Sequence, residues 1–147
     1  PVKYGRSEVI YEEEDILLYA AGSMVETAVK VRHALKEKGF SVTLVNARFV
    51  KPIDTQMLDE MKASHPLIVT MEENVITGGF GDAVDEYLEE SDSDNEVLNI
   101  AIPDNFVSHG NVDILRQVCG IDADTVTDRV ITAWEGIQAG KGRKHLS

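Results

Sequence analysis

The chain has 147 residues, enough for one globular domain, of which 43% are hydrophobic and 27% are charged. Its 26 acidic residues outnumber its 14 basic ones, which gives a formal net charge of −12, and no Lys or Arg lies between Lys62 and Arg116. Such an acidic chain repels phosphate groups, so nucleic acid and anionic membrane surfaces are disfavoured as partners.

The first part of the chain predicts two strands and a helix. Residues 8–11 form a short strand candidate, and the uninterrupted apolar run 16–21 is typical of a strand that is buried on both faces. The acidic turn between them indicates a hairpin, with the first strand antiparallel at a sheet edge. Ser23 and Glu26 have the spacing of a capping box, so we expect a helix that starts here and ends at Gly39.

The same alternation continues along the middle of the chain. Residues 41–47 predict a strand, which a loop follows, and Asp54 is a suitable N-cap for a short helix. Residues 66–71 predict a third buried strand. A long loop over residues 72–81 then precedes a helix that carries Phe80 on its apolar face.

The last part of the chain predicts one more strand and two helices. The strand covers residues 97–102 and ends at Pro103, and the helices cover residues 111–119 and 124–137. Residues 140–147 are basic and contain glycine, so we expect a flexible tail there.

Strands that alternate with helices predict an α/β fold. We expect a three-layer α/β/α arrangement around a mixed, mainly parallel sheet of about five strands, with one antiparallel edge strand. The domain should cover residues 1–139, followed by the basic tail 140–147. The chain opens at Pro1 without an initiator Met, which indicates a processed protein or a piece of a longer one.

The residues do not predict a self-contained active site. The four histidines lack the spacing of a metal site, and Cys119 lies on an apolar helix face, which indicates a buried structural thiol. A single cysteine also excludes an intrachain disulfide and fits a reducing, cytoplasmic compartment. We therefore predict no catalytic, cofactor-binding or metal-binding residue within this chain.

Three loops at predicted strand ends carry the candidate contact residues. Arg48 and Lys51 could clamp an anion or stabilise an interface, and salt bridges to nearby acids are the simpler interpretation. His109 lies among turn residues, so it is either a contact residue or a hydrogen-bonded loop histidine. Adjacent strand residues point to opposite faces, so Glu72 and Glu73 do not predict an acid/base couple, although one of them could face a cleft or a partner.

The glycines at positions 78, 79 and 81 precede a predicted helix. Glycines at a helix N-terminus can hold an anion, but the fingerprints of dinucleotide-binding and phosphate-binding loops are incomplete here. A tight turn with close packing is the alternative interpretation.

Four stretches of the sequence resemble one enzyme family. They are AGSMV (21–25), VNARFVKPID (45–54), VTMEENVITGGFG (69–81) and LNIAIPDNFVSHG (98–110). Together they resemble the C-terminal, transketolase-type domain of 1-deoxy-D-xylulose-5-phosphate synthases, over roughly residues 5–135. The first stretch and the Glu-Glu pair are also similar to transketolases and to the beta subunits of 2-oxoacid dehydrogenases.

The resemblance implies a transferase that uses thiamine diphosphate and Mg²⁺. Enzymes of that family decarboxylate pyruvate and join it to glyceraldehyde 3-phosphate, for non-mevalonate isoprenoid, thiamine and pyridoxal synthesis. The family's Gly-Asp-Gly…Asn cofactor motif, its activating glutamate and the domain with its catalytic histidine are absent from this chain. The resemblance therefore implies an accessory domain that binds no cofactor and is inactive alone.

The resemblance also implies a face that meets the rest of the enzyme. Such a domain packs against the upstream domains of a homodimer. The candidate residues for that face, with His109 as a further contact, are Arg48, Lys51, Glu73, Asn74 and Gly79.

Three alternatives to this family stay open. The chain could be the equivalent domain of a 2-oxoacid dehydrogenase beta subunit or of a transketolase. It could be a stand-alone binding or scaffold module. It could also be an anion-binding domain that uses the glycine turn at residues 78–81.

Overall fold

The computed structural model describes residues 5–48, 51–74, 79–102 and 112–146. Within these ranges, strands and helices alternate along most of the chain. In chain order, they are β1 (Glu8–Tyr11), β2 (Ile16–Ala20), α1 (Met24–Glu37), β3 (Val42–Asn46), α2 (Thr55–Met61), β4 (Leu67–Asn74), α3 (Phe80–Glu90), β5 (Glu96–Ile102), α4 (Val112–Cys119) and α5 (Ala123–Leu146).

The strands form one sheet in the order β1-β3-β2-β4-β5. β2 pairs in parallel with both β3 and β4, and β4 pairs in parallel with β5. β1 pairs antiparallel with β3 at the edge of the sheet. The predicted α/β fold, with a mainly parallel sheet and one antiparallel edge strand, is therefore confirmed.

The predicted hairpin between β1 and β2 is wrong. Both edges of β2 are occupied by parallel neighbours, so β1 lies outside β3, with Glu8 opposite Asn46 and Tyr11 opposite Leu44. The acidic turn after β1 carries Asp15 at φ 70° and leads the chain past β3 to the centre of the sheet. The turn therefore connects two strands that have another strand between them.

Helices cover both faces of the sheet because its central strands are apolar on both sides. Successive strand residues point to opposite faces, so Leu18 packs toward α1, α4 and α5, whereas Leu17 and Tyr19 pack toward α2 and α3. On the second face the rings of Tyr19 and Phe80 meet edge to face, with centroids 4.7 Å apart. Together the two apolar layers form the core of the three-layer fold.

The two predicted helix caps have different outcomes. Asp54 caps α2 as predicted, because its Oδ1 accepts the N–H of Met57 at 3.0 Å. Its Oδ2 accepts the N–H of Ser7 at 2.7 Å, which ties the segment before β1 to α2. The capping box of α1 is wrong, because the side chain of Ser23 makes no capping hydrogen bond to the helix and instead contacts Glu73.

Two elements extend beyond their predicted ends. β4 continues to Asn74, so Glu72 and Glu73 lie in the strand and not in a loop. α5 continues past Ile137 to Leu146, through the segment that the sequence assigns to a tail. The flexibility of that segment and the division of the chain at residue 139 stay predictions. Among the described helices, none has the length and apolar character needed to cross a membrane.

Candidate functional site

The carboxyl ends of β2 and β4 lie side by side at the centre of the sheet. The chain leaves β2 toward β3 through α1 on one face, and it leaves β4 toward β5 through α3 on the other face. Open α/β sheets bind ligands in the crevice that forms where neighbouring connections diverge in this way. We call this edge the carboxyl-end site, and its described members are Ser23, Arg48, Glu72, Glu73, the first turn of α3, and Arg116.

Glu72 holds the start of α3 against the sheet. Its side chain lies on the α3 face, and the residue is only 8% exposed. The carboxylate accepts the N–H of Gly81 at 2.6 Å and the N–H of Phe80 at 3.3 Å. Burial raises the pKa of Glu72 above its ordinary value, although these two hydrogen bonds act in the opposite direction.

The contacts of Glu72 bear on the anion-binding alternative. Free N–H groups in the first turn of a helix attract anions. In α3 two of these groups, those of Phe80 and Gly81, already bind the carboxylate of the chain itself. An external anion would have to compete with a covalently attached one, so the structure weighs against a phosphate site on this turn.

Glu73 points to the opposite face and joins two helices to the strand. Its Oε2 accepts a hydrogen bond from the hydroxyl of Ser23, at the start of α1, and another from Nη2 of Arg116, in α4, at 3.1 Å. The hydrogen bond from Ser23, together with Arg116, lowers the pKa of Glu73. The Ser23–Glu73 contact therefore joins the segment after β2 to the end of β4 at this edge of the sheet.

Arg48 and Lys51 do not form a clamp in the described contacts. Nη2 of Arg48 lies 3.1 Å from Oε2 of Glu8, so the salt-bridge interpretation holds for this residue. Lys51 is exposed and precedes Pro52 through a cis peptide bond. The structure therefore places both cations after the end of β3, with Arg48 engaged at the β1 edge.

The other predicted contact residues are partly described. Asn74 ends β4, where its backbone pairs with Ile102, and His109 lies outside the described residues. Gly79 is the N-cap of α3 with φ −71°, a conformation open to any residue. Among the described glycines of this turn, Gly81 is closely packed, because a Cβ there would lie 2.9 Å from Oδ1 of Asn99.

The sequence did not predict Ser23 and Arg116 as members of the site. Arg116 is the first cation after the acidic stretch 63–115, so an acidic partner for it could have been expected. Nothing in the sequence pattern indicates that this partner is Glu73, because the pairing depends on how α4 lies across the sheet. The Nε atom of Arg116 is buried without a hydrogen-bond partner among the described residues.

The described residues do not fit a diphosphate cofactor with its metal ion. They contain no group of three or more His, Cys, Asp or Glu side chains placed to bind a metal. The first turn of α3 is occupied by Glu72. A groove of about 900 Å³ lies at the opposite end of the sheet, where the starts of β4 and β5 meet α5, and its lining carries three acidic residues, Asp92, Asp94 and Glu96, against one basic residue, Lys62. Acidic groups there disfavour a phosphate ligand.

The sequence matches the model of one known family. The model of the transketolase C-terminal domain matches residues 5–126. The chain belongs to this family. Among curated relatives of this transketolase C-terminal domain, the 1-deoxy-D-xylulose-5-phosphate synthase of Lachnoclostridium phytofermentans is 50% identical over 128 residues, which cover 86% of the chain and 20% of the relative. The synthase of Desulforudis audaxviator is 45% identical over 144 residues, which cover 97% and 22%.

Solved structures support the same assignment. A structure described as a split gene transketolase, inactive beta4 tetramer, matches 91% of this chain and 43% of its own, with a TM-score of 0.79 and 30% identity. A transketolase mutant from Pichia stipitis matches with a TM-score of 0.66 at 16% identity, which shows the fold alone. The family resemblance predicted from the motifs is confirmed. The chain spans about a fifth of the length of the curated relatives that it matches.

Proposed function

We propose that this transketolase C-terminal domain is the last part of a 1-deoxy-D-xylulose-5-phosphate synthase. The observation that carries the proposal is the 50% identity to the synthase of Lachnoclostridium phytofermentans over 86% of the chain. The match to the split gene transketolase, at 30% identity, favours the alternative transketolase assignment less strongly. The synthase joins pyruvate to glyceraldehyde 3-phosphate with loss of CO₂, and this activity is proposed for the whole enzyme and not for this chain alone.

In this proposal the domain supports a site that is built elsewhere. Thiamine diphosphate, which can accept the electron pair released on decarboxylation, would be held with Mg²⁺ by the upstream domains, since the described residues do not fit it. This chain contributes structural support. Glu72 fixes α3 to the end of β4, and Glu73 fixes α1 and α4 to it. The whole enzyme would be a cytoplasmic homodimer.

The face that meets the upstream domains includes the carboxyl-end site. We assign to it the residues that follow strand ends, namely Arg48, Lys51, Asn74, Gly79 and His109. Arg48, Asn74 and Gly79 lie at the carboxyl ends of β3 and β4 or at the start of α3 beside them, which supports the choice. Glu73 belongs to the same edge, but its carboxylate is engaged within the domain, so its role is to position α1 and α4.

A hybrid enzyme tests the proposed function. The segment of the Lachnoclostridium phytofermentans synthase that matches this chain is replaced by the chain itself, and product formation from pyruvate and glyceraldehyde 3-phosphate is measured with thiamine diphosphate and Mg²⁺. We expect a kcat within about tenfold of the unmodified relative, a difference of at most about 1.4 kcal/mol in the barrier.

Two controls make the hybrid experiment decisive. The relative without its matching segment should lose activity, and the isolated 147-residue chain should form no product. A second hybrid that carries the matching segment of the split gene transketolase measures how far any family member can substitute. If the first hybrid dimerises but forms no product under conditions where the unmodified relative does, the synthase assignment is wrong.

A further inference from the structure

Helix α4 has apolar side chains on two of its sides. On the inner side, Leu115 and Cys119 pack partly buried against the core. On the outer side, Ile114 and Val118 are one turn apart and are 59% and 65% exposed, more than any other large hydrophobic residue that the structure describes. A helix that is apolar beyond a single stripe is typical of one buried between two bodies.

The position of α4 is fixed by its inner apolar side and by a charged contact, and not by the outer residues. Arg116 lies on the same helix and donates to Glu73, which also binds Ser23. This network holds α4 at the carboxyl end of the sheet, beside the connections that diverge from β2 and β4. Ile114 and Val118 are therefore presented outward on an anchored element.

The other exposed surfaces of the described chain are less suitable for a contact. The exposed residues of α3 include Asp82, Glu86, Glu89 and Glu90, and burying such carboxylates without cations is costly. Among the described side chains of α4, the exposed neighbour of Ile114 and Val118 is Gln117, which is neutral. The residues beside Gln117 on other elements carry both signs of charge, namely Lys30 and Asp122. Interface cores are poor in charged residues, so the outer side of α4 fits that composition and the acidic face of α3 does not.

The second apolar surface, on β1, is protected. Its exposed residues Val9, Ile10 and Tyr11 lie on an edge strand. The guanidinium of Arg32 covers the ring of Tyr11, 4.0 Å from the centroid, and an irregular register between Val9 and Tyr11 interrupts the ladder. Bulges of this kind discourage the addition of another strand. Between the two surfaces, α4 is the one without such protection.

We propose that the outer side of α4, formed by Ile114, Gln117 and Val118, docks against the upstream part of the same polypeptide. This inference rests on the proposed function. About four-fifths of each curated relative lies outside the matched segment, so the occupant is the remainder of the synthase, and it should offer uncharged, apolar side chains. Glu73 and Arg116 then act as positioning residues for this contact.

The test measures association between two separate pieces. The 147-residue chain is mixed with the upstream part of the Lachnoclostridium phytofermentans synthase, and the Kd is measured by calorimetry. The chain with Ile114→Lys and Val118→Lys should bind at least about tenfold more weakly, because each lysine would have to be buried in the contact. The matched control is Val29→Lys, on the 43% exposed valine of α1, which should change the Kd less than about threefold.

A second measurement covers the case in which the double variant does not fold. In the unaltered hybrid enzyme, backbone amides of residues 114–119 should exchange hydrogen at least about tenfold more slowly than in the isolated chain. If the amides of residues 114–119 exchange hydrogen equally fast in the hybrid enzyme and in the isolated chain, or if the amides of β1 are the ones that become protected, the proposal is overturned. So does an unchanged Kd for a double variant that folds.

The outcomes separate the inference from the proposed function. If the upstream part binds the chain with a Kd that is indifferent to α4, the inference is wrong and the synthase assignment stands. If the upstream part does not bind the chain at all, the inference is wrong, and the activity of the hybrid enzyme decides the synthase assignment separately. If the two lysines only convert a self-associated chain to a monomer, without weakening the upstream complex, a second copy is the occupant and the proposal is overturned.

Discussion

The two sides of β4 at the carboxyl end of the sheet show two ways of holding a carboxylate. On the α3 side, Glu72 is buried and is satisfied by backbone N–H groups, and no salt bridge involves it in the described part of the chain. On the α1 and α4 side, the side chain of Glu73 is 24% exposed and is satisfied by a hydroxyl and a guanidinium. Neighbouring residues of one strand consequently have pKa shifts of opposite sign.

This difference shows which attachments a single substitution can remove. The link from Glu72 to α3 uses backbone groups, so on the helix side only a substitution to proline at Phe80 or Gly81 removes a donor. The link from Glu73 to α4 depends on the side chain of Arg116. We therefore expect α3 to be a fixed part of the core, whereas α4 can be released without unfolding the sheet.

The largest effect should follow from Glu72→Ala. It removes the acceptor for two buried N–H groups and leaves a gap under α3, so we expect a loss of about 2–4 kcal/mol in the free energy of unfolding. Glu72→Gln keeps one acceptor oxygen and should lose only about 1 kcal/mol. Urea unfolding at pH 7 measures both values. A smaller loss for Glu72→Ala than for Glu73→Ala would contradict the proposed ranking of the two sides.

The close approach of α3 to the sheet should be sensitive to one methyl group. In Gly81→Ala the new Cβ would meet Oδ1 of Asn99 at 2.9 Å and Oγ1 of Thr70 at 3.1 Å, so we expect destabilisation by about 1–3 kcal/mol. The matched control is Gly136→Ala in α5, where nothing lies within 4 Å of the new atom. There the better helix propensity of alanine should stabilise the protein by about 0.5–1 kcal/mol. Thermal unfolding distinguishes the two signs.

Acid should affect the two sides of β4 in opposite directions. The folded pKa of Glu73 is lowered, so its stabilisation is present above the ordinary carboxyl pKa of about 4.3 and is lost as the pH falls through the folded pKa. The folded pKa of Glu72 is raised, so the stabilisation that its protonation contributes, which is separate from its hydrogen bonds to α3, is present below about pH 4.3 and is lost as the pH rises through the folded pKa.

Glutamine variants should reveal these two signs. From pH 7 to about pH 4, the unfolding free energy of the wild type minus that of Glu73→Gln should shrink, while the corresponding difference for Glu72→Gln should shift in favour of the wild type. Urea unfolding at the two pH values measures both differences. Movement of both in the same direction would show that the environments of the two carboxylates are not distinct.

The smallest effect should follow from Arg48→Ala. Its salt bridge to Glu8 is about one-third exposed on the arginine side, and exposed pairs contribute little, so we expect a change below about 0.5 kcal/mol in the isolated chain. A larger loss of activity in the hybrid enzyme, at unchanged stability of the chain, would support the proposed interface role of Arg48. If Arg48→Ala has equally small effects on the stability of the isolated chain and on the activity of the hybrid enzyme, Arg48 forms only a local salt bridge to Glu8.

Local patterns in the sequence were sufficient for most of the fold. The apolar runs of β2, β3 and β4 and the helical stripes between them predict an α/β fold, because periodicity and burial are properties of short segments. The partner of β1 was not predictable in this way. A strand, an acidic turn and a second strand look like a hairpin, and only the occupation of both edges of β2 moves β1 outside β3.

The carboxyl-end site was predicted in position but not in its contacts. The strand ends that carry Arg48 and Glu73 were recognisable in the sequence, because turn residues and family motifs follow the apolar runs there. The contact of Ser23 was not predictable. Its hydroxyl could bond either to a backbone N–H at the start of α1 or to the distant carboxylate of Glu73, and only the packing of the sheet decides between the two. The family motifs lie at the same strand ends, and the match to the transketolase C-terminal domain and to the synthases confirms the family.

The pairing of β1 with β3 has a consequence for the order of folding. Glu8 and Asn46 are 38 residues apart, so the first strand has no partner edge until the unit β2–α1–β3 has formed. Closing this long loop early would cost chain entropy without a contact to offset it. During synthesis, Val9, Ile10 and Tyr11 leave the ribosome before β3 and can pair only after β3 has formed. The interval between those two events is when the nascent chain most needs protection from other exposed strands.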